Sequence, residues 1–291
     1  MIKRLYFCLE PFKSQKIIYI FIMKRLLIRL FHKIVSFINF NVGKKVRPYH
    51  LLYNQLQKHR VGDMMTTLNK QIDLYLLNSN KKQNFIFVEI GSYLGESLEL
   101  WGDLLEKRLK DNFQIISIDP YKNYVSETDK NWQPNKSRAS TKMSKVMDKA
   151  YIYFVHNISL KKWKDKHTHM RMSSKNALKV FENRGLEIDF CYIDGSHYYD
   201  NFKFDIENYN KILKSIDEYK GIICGDDYEF SYEELLKKFE KEKLNKILAD
   251  NKTTDCLIYK DFIFHPGITL AISETKLKIE KFESGFFTGI K

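Results

Sequence analysis

From residue 85 onward the chain alternates short apolar runs, most of them ending in glycine or aspartate, with amphipathic stretches of helical length. "FIFVEIG" (85–91) reads as a buried strand, and "ESLELWGDLLEKRLKD" (96–111) gathers Leu98, Trp101, Leu104, Leu105 and Leu109 on one helical face. "QIISID" (114–119) is the next strand, followed by a helix around 141–162. "HTHMRM" (167–172) is a weak strand, and "SSKNALKVFENRG" (173–185) a helix closed by Gly185. "IDFCYID" (188–194) is a strand. "YYDNFKFDIENYNKILKSI" (198–216) is a helix with Phe202, Ile206, Tyr209 and Leu213 inward, and "GIICGDD" (221–227) is a further strand. Parallel strands need crossover helices, so this order implies an α/β fold: a Rossmann-like parallel sheet with helices on both faces.

Such sheets bind ligands at the carboxyl ends of their strands. The chemically loaded residues lie there: "VEIGSYLGES" after the first strand, Asp119 after the second, Ser173 and Ser174 after the third, "DGSH" after the fourth and "GDDY" after the fifth.

The rest of the chain is of a different kind. The formal net charge is +13, but residues 1–50 hold 11 Lys or Arg against one acid, Glu10. The body is nearly balanced, which argues against a nucleic-acid partner. "IIYIFIM" (17–23) is far short of the roughly 20 apolar residues of a spanning helix. Leu27, Leu30, Phe31, Ile34, Val35 and Ile38 follow helical spacing with Arg25, Arg29, His32 and Lys33 between them. Two readings stand: residues 24–38 lie on an anionic membrane surface, or the helix packs on the protein with a solvated cationic edge. Residues 1–46 are thus a basic amphipathic segment, 47–83 a helical cap, and 84–291 the main domain, with "NSNKKQN" (78–84) as the polar break. Four widely spaced cysteines without a CxxC pair suit a reducing cytoplasm, with peripheral contact at the inner membrane surface as the further expectation.

In "EIGSYLGES", Gly91 and Gly95 permit a tight turn and close backbone approach, Ser92 and Tyr93 form the loop, and Ser97 opens the helix. A dinucleotide fingerprint needs a glycine where Tyr93 stands, and Glu89 would repel a diphosphate; it suits a cationic amine instead. Asp119 can accept hydrogen bonds from both ribose hydroxyls. The bland readings are a structural turn for the loop and a helix N-cap for Asp119.

These residues resemble a class I S-adenosylmethionine-dependent methyltransferase over residues 85–230. The resemblance implies a sheet with an antiparallel last strand, supplied here by "HPGITLAISE" and "KIEKFESGFFTGIK" as last helix and closing strand pair. It also implies S-adenosylmethionine as cofactor, held by Glu89, Gly91, Ser92, Tyr93, Gly95, Ser97, Asp119, Ser173, Ser174 and Asp194.

Asp194 ends the fourth strand, and Asp226 and Asp227 end the fifth, so adjacent strands bring three carboxylates together. Such a cluster is costly unless a cation neutralises it, and oxygen ligands favour Mg²⁺ or a similar hard divalent ion. The spacing resembles metal-dependent O-methyltransferases of the catechol type, with Asp227 where those carry Asn. It is closer to macrocin-type sugar O-methyltransferases, in which the match to "DGSH" makes His197 the general base. Tyr198, Tyr199 and Tyr228 read as walls of the acceptor pocket. The expected activity is metal-assisted methylation of a hydroxyl on a sugar, glycan-like or other small hydroxylated acceptor. Metal-independent methyl transfer to another acceptor, and a catalytically silent membrane-associated binding module, are the alternatives. The Asp pair could also cap a helix near Phe230, and His197 could serve only as a loop hydrogen bonder.

Overall fold

The computed structural model describes residues 27–46, 57–78, 84–122, 136–259 and 262–290, apart from residues 28, 29 and 32 and the side chains of residues 57–59 and 136–146. Residues 1–53 and 54–291 form two compact units. In the first, helix α1 runs between residues 27 and 41, and Leu30, Phe31, Ile34, Phe37 and Ile38 are exposed. The expected helix over "YHLLYNQLQKH" and the polar break lie largely outside the described residues.

The second unit begins with α2 (Gln57–Asn78) and then alternates: β1 (Phe85–Ile90), α3 (Glu96–Leu109), β2 (Phe113–Ile118), α4 (Lys136–Ser159), β3 (His167–Met170), α5 (Ser174–Asn183), β4 (Phe190–Ile193) and α6 (Tyr199–Tyr209). A small hairpin, β5 (Ser215–Ile216) and β6 (Tyr219–Lys220), leads into β7 (Ile222–Gly225). Two short helices follow, α7 (Tyr232–Leu236) and α8 (Lys241–Asp250), then a second hairpin, β8 (Leu257–Tyr259) and β9 (Phe262–Phe264). Helix α9 (Pro266–Glu274) and strands β10 (Lys278–Lys281) and β11 (Phe287–Ile290) complete the unit.

The main sheet has seven strands in the order β10-β11-β7-β4-β1-β2-β3. Strands β7, β4, β1, β2 and β3 are mutually parallel, while β11 inserts antiparallel between β7 and β10. This is the α/β, Rossmann-like arrangement with an antiparallel last strand that the sequence implies. Strand order reverses at β1, which has β2 on one side and β4 on the other, so the ligand crevice opens beyond the carboxyl ends of β1 and β4.

The side-chain period of two divides each strand between two cores. Phe85 and Phe87 of β1, with Phe190 and Tyr192 of β4, pack against Trp101 of α3 and against Met64, Leu68, Ile72 and Tyr75 of α2. Ile86, Val88 and Ile90, with Cys191 and Ile193, pack against α5, α6 and α9. Burying each large apolar side chain of α2 contributes about 1.5–3 kcal/mol, so this helix is held firmly against the sheet. The parity also sends Glu89 to the α3 face.

The helix expected over 198–216 stops at Tyr209. The chain beyond it is captured by the entry to β4: Ile188 N–H donates to Ile212 O at 2.9 Å and Lys214 N–H to Ile188 O at 2.8 Å. Those bonds replace the helical ones, and Leu213 still points inward.

Candidate active site

The glycine loop is shaped by one close approach. Gly91 adopts φ +90°, and a Cβ there would stand 1.9 Å from the Asp194 carbonyl oxygen. Only glycine lets the β1 and β4 loops come together. Gly95 adopts φ +80° at the N-cap of α3, with Phe154 of α4 packed over it. Tyr93, Tyr121 and Asp227 also hold positive φ, so three of the five strained non-glycine residues in the described structure lie at the ends of β1, β2 and β7.

Asp119 clasps this loop. Its Oδ2 accepts from Ser92 N–H (3.1 Å) and Tyr93 N–H (3.0 Å), and its Oδ1 from Tyr121 N–H (2.7 Å). Burial raises its pKa, opposed by these same hydrogen bonds. Oδ1, with one donor against two on Oδ2, keeps acceptor capacity for a ligand hydroxyl. Glu89 is fully buried on the α3 face. Ser97 Oγ donates to its Oε1 at 2.7 Å, while Oε2 has no hydrogen-bond partner among the described residues. Burial pushes this carboxyl up to about 8. An orphaned buried carboxylate oxygen beside a glycine loop fits a cationic ammonium group, which is what an amino-acid-bearing cofactor would bring.

A cavity of about 310 Å³ opens over this loop. Gly91, Tyr93, Asp119, Ser173, Ser174 and Asp194, all expected cofactor residues, line it. Glu89, Ser92, Gly95 and Ser97 lie outside that lining. Ser173 also caps α5 through Asn176 N–H at 3.4 Å. Asp205 of α6, which sequence reading missed, lines it as well.

Asp194 carries the cavity into the acid cluster. One oxygen each from Asp194, Asp226 and Asp227 lies within 4.8 Å of the others. Burial, then the two neighbouring carboxylates, holds Asp194 well above the usual range, and burial and Asp227 raise Asp226 to about 6. Asp227 is lowered: burial works against its charge, but His197, His265 and Arg60 outweigh it. Three crowded carboxylates fit a hard divalent cation, since oxygen ligands and excess negative charge are what such an ion requires.

Of the groups around this cluster, sequence reading named His197 and missed Arg60, His265 and Asp255. Arg60 of α2 spans it, with Nη1 2.6 Å from Asp226 Oδ2 and Nη2 3.1 Å from Asp227 Oδ1. His197 places Nε2 3.4 Å from Asp227 Oδ2 and Nδ1 3.0 Å from Asp255 Oδ1. His265, the N-cap residue of α9, sets Nδ1 3.0 Å from Glu229 Oε1. Burial opposes the His265 imidazolium, but its hydrogen bonds to Cys256 and Glu229 and the charge of Asp227 hold it up at about 11. Tyr198, Tyr199 and Tyr228 are buried: Tyr228 packs edge-on to Phe287 while also lining a second pocket with Ser231 and Glu234, and Tyr199 donates to Glu274 at 2.6 Å.

Residues 88–228 match the family model described as "Methyltransferase domain". With the sheet order and the glycine-loop cavity, this defines the class: an S-adenosylmethionine-dependent methyltransferase with the class I fold. Among solved structures, the chain resembles the O-methyltransferase NovP at 11% identity and TM-score 0.47, covering 78% of this chain and 79% of that one. It resembles the calicheamicin methyltransferase CalS11 at 14% identity and TM-score 0.38, covering 75% and 85%. An O-methyltransferase family protein from Burkholderia thailandensis aligns at 9% identity and TM-score 0.40, covering 79% and 58%. No curated protein matches the sequence.

Proposed function

We propose that this methyltransferase acts on a hydroxyl group of a small hydroxylated acceptor, of the sugar or glycan type, with a divalent metal assisting. One observation carries the reading: Asp194 lines the cofactor cavity and also belongs to the three-carboxylate cluster. A hydroxyl held at that cluster would therefore stand beside the cofactor. The sugar class follows the resemblance of "DGSH" and the acidic pair to macrocin-type enzymes.

Each of the chain's own groups has a role in this reading. Glu89 accepts the cofactor's ammonium group, Asp119 its ribose hydroxyls, and Gly91 lets the backbone close against it. Asp194, Asp226 and Asp227 would hold the metal, which supplies a lowered hydroxyl pKa and a fixed acceptor orientation. His197 removes the acceptor proton through Nε2, and Asp255, 3.0 Å from Nδ1, orients the ring. A positioned base of this kind contributes about 10²–10⁴-fold.

The test is cofactor turnover against a panel of vicinal diols and nucleotide sugars, with and without EDTA, alongside Asp194→Ala. The reading expects turnover that EDTA and Asp194→Ala both abolish. Activity that survives EDTA supports metal-independent transfer instead. Cofactor binding without turnover on any acceptor supports a silent module.

The exposed apolar residues of α1, interleaved with basic ones, favour peripheral contact with an anionic bilayer. No helix among the described residues is long and apolar enough to cross a membrane. Flotation with vesicles containing anionic lipid, compared with neutral vesicles, tests this: equal partitioning to both rules it out.

A further inference from the structure

On the α6–α9 side of the acid cluster, two imidazoles and a carboxylate converge in a way that methyl transfer does not require. One ligand atom from each of His197, Asp227 and His265 lies within 4.8 Å of the other two. The two rings meet edge to face with centroids 4.5 Å apart. Each imidazole also has its Nδ1 against a separate carboxylate: His197 at 3.0 Å from Asp255 Oδ1, and His265 at 3.0 and 3.1 Å from the two Glu229 oxygens. Histidines that ligate metals usually present one ring nitrogen to the ion and anchor the other on a carboxylate, which fixes tautomer and orientation. His265 is held in this way by its hydrogen bonds to Glu229, Asp255 stands beside the other imidazole, and both rings face a shared aspartate, a built arrangement rather than a chance collection of acids.

We infer that His197, Asp227 and His265 form a second cation site, for a metal of the Zn²⁺ or Co²⁺ kind, distinct from the all-carboxylate site of Asp194, Asp226 and Asp227. Two neutral imidazoles and one carboxylate suit borderline divalent transition metals, so binding displaces the proton of the His265 imidazolium, whereas Mg²⁺ prefers oxygen ligands alone. Asp227 belongs to both sites and is turned to serve them. Its Oδ1 faces Arg60 at 3.1 Å and its Oδ2 faces His197 Nε2 at 3.4 Å. It holds this position with φ 59°, a backbone conformation that few residue types other than glycine and Asx tolerate. The second site has a consequence for turnover that rests on the proposed base role of His197. An imidazole held by a transition metal cannot accept the acceptor proton, so Zn²⁺ inhibits activity supported by Mg²⁺. The binding itself does not depend on that role.

The experiment is a Co²⁺ titration of the full chain in excess Mg²⁺, followed by visible absorption. One Co²⁺ per chain is expected, with ligand-field bands that persist in Asp194→Asn and disappear in His265→Ala. Glu229→Gln, which loosens the His265 anchor, should weaken Co²⁺ by about 10–100-fold, the usual effect of removing such a partner. Because His265→Ala could perturb α9, a second variant decides: His265→Cys in a Cys256→Ser background should give a thiolate-to-cobalt charge-transfer band, which arises only if side chain 265 touches the metal. Bands unchanged in His265→Ala, or no charge transfer in the cysteine variant, overturn the second site. So do bands that excess Mg²⁺ or Asp194→Asn removes, since these place Co²⁺ at the carboxylates. Normal Co²⁺ bands without Zn²⁺ inhibition of turnover leave the site standing and remove His197 as base.

Discussion

Arg60 Nη1 lies 2.6 Å from Asp226 Oδ2, tying helix α2 to the end of β7 across 166 residues of sequence. The guanidinium reaches Asp227 as well, so it neutralises two of the three carboxylates proposed to hold a divalent ion. An arginine and a metal compete for the same charge. Arg60→Gln should therefore raise Mg²⁺ affinity by about tenfold, each tenfold being about 1.4 kcal/mol. It should also lower the stability of the metal-free protein by about 1.5–3 kcal/mol, the scale of a hydrogen bond to a charged group, with partial exposure of Arg60 favouring the low end. Calorimetric Mg²⁺ titration and chemical denaturation check the two halves. Mg²⁺ affinity that falls on removing Arg60 would show that the arginine supports the metal site instead.

Glu89 gives a pH dependence with a definite sign. Its folded-state pKa is raised by burial to about 8, against about 4.3 for a free Glu side chain. Between those values the folded protein binds a proton that the unfolded chain has released. The stability of the cofactor-free protein therefore falls as pH rises through this window, and Glu89→Gln removes that part of the slope. If the carboxylate receives the cofactor's ammonium group, binding at pH 7 expels the proton. Calorimetry of S-adenosylhomocysteine binding in two buffers of different ionisation enthalpy measures the release. Equal release by wild type and Glu89→Gln would exclude Glu89 as the partner.

Asp255 stands to His197 as an orienting group. Asp255→Asn keeps the size but removes the charge beside Nδ1. The expected result is a kcat lower by about 10–100-fold, part of the about 10²–10⁴-fold that a positioned base supplies, with the acceptor KM little changed. Cofactor affinity should stay at the wild-type level, because Asp255 is not among the residues that line the cavity. A loss confined to KM would assign Asp255 to acceptor binding.

How much of this was legible in the sequence follows from range. The alternation of strand and helix is a local pattern, and its parity even places Glu89 beside Ser97 of α3. The carboxylates were legible because they terminate strands that a parallel sheet must bring together. Arg60, Asp255 and His265 were not. Each arrives from an element whose packing no local pattern fixes: α2, which reads as a separate cap, and the segment from α7 to α9, whose two short helices and hairpin fall outside the repeating unit. Tyrosines are ambiguous for a different reason. A tyrosine after a strand can wall a pocket or fill a core with equal local propensity, and Tyr228 does both, packing on Phe287 while lining a pocket with Ser231 and Glu234.

Gly91 offers the sharpest test of how the two halves of the site are joined. An alanine Cβ would lie 1.9 Å from Asp194 O and 2.8 Å from Gly195 Cα, both backbone atoms that no side-chain rotation can clear. The positive φ adds about 1–2 kcal/mol of strain. Relief requires the β1 and β4 loops to part, which moves the cofactor cradle and Asp194 together. Gly91→Ala should therefore weaken S-adenosylhomocysteine and divalent-metal binding in the same variant, while lowering the melting temperature. Gly185→Ala is the matched control: it shares a positive φ but has nothing within 4 Å of the added Cβ, so it should carry the strain alone and bind both ligands normally. If Gly91→Ala loses cofactor affinity yet keeps metal affinity, the two loops are not coupled, and Asp194 does not link the cavity to the acid cluster.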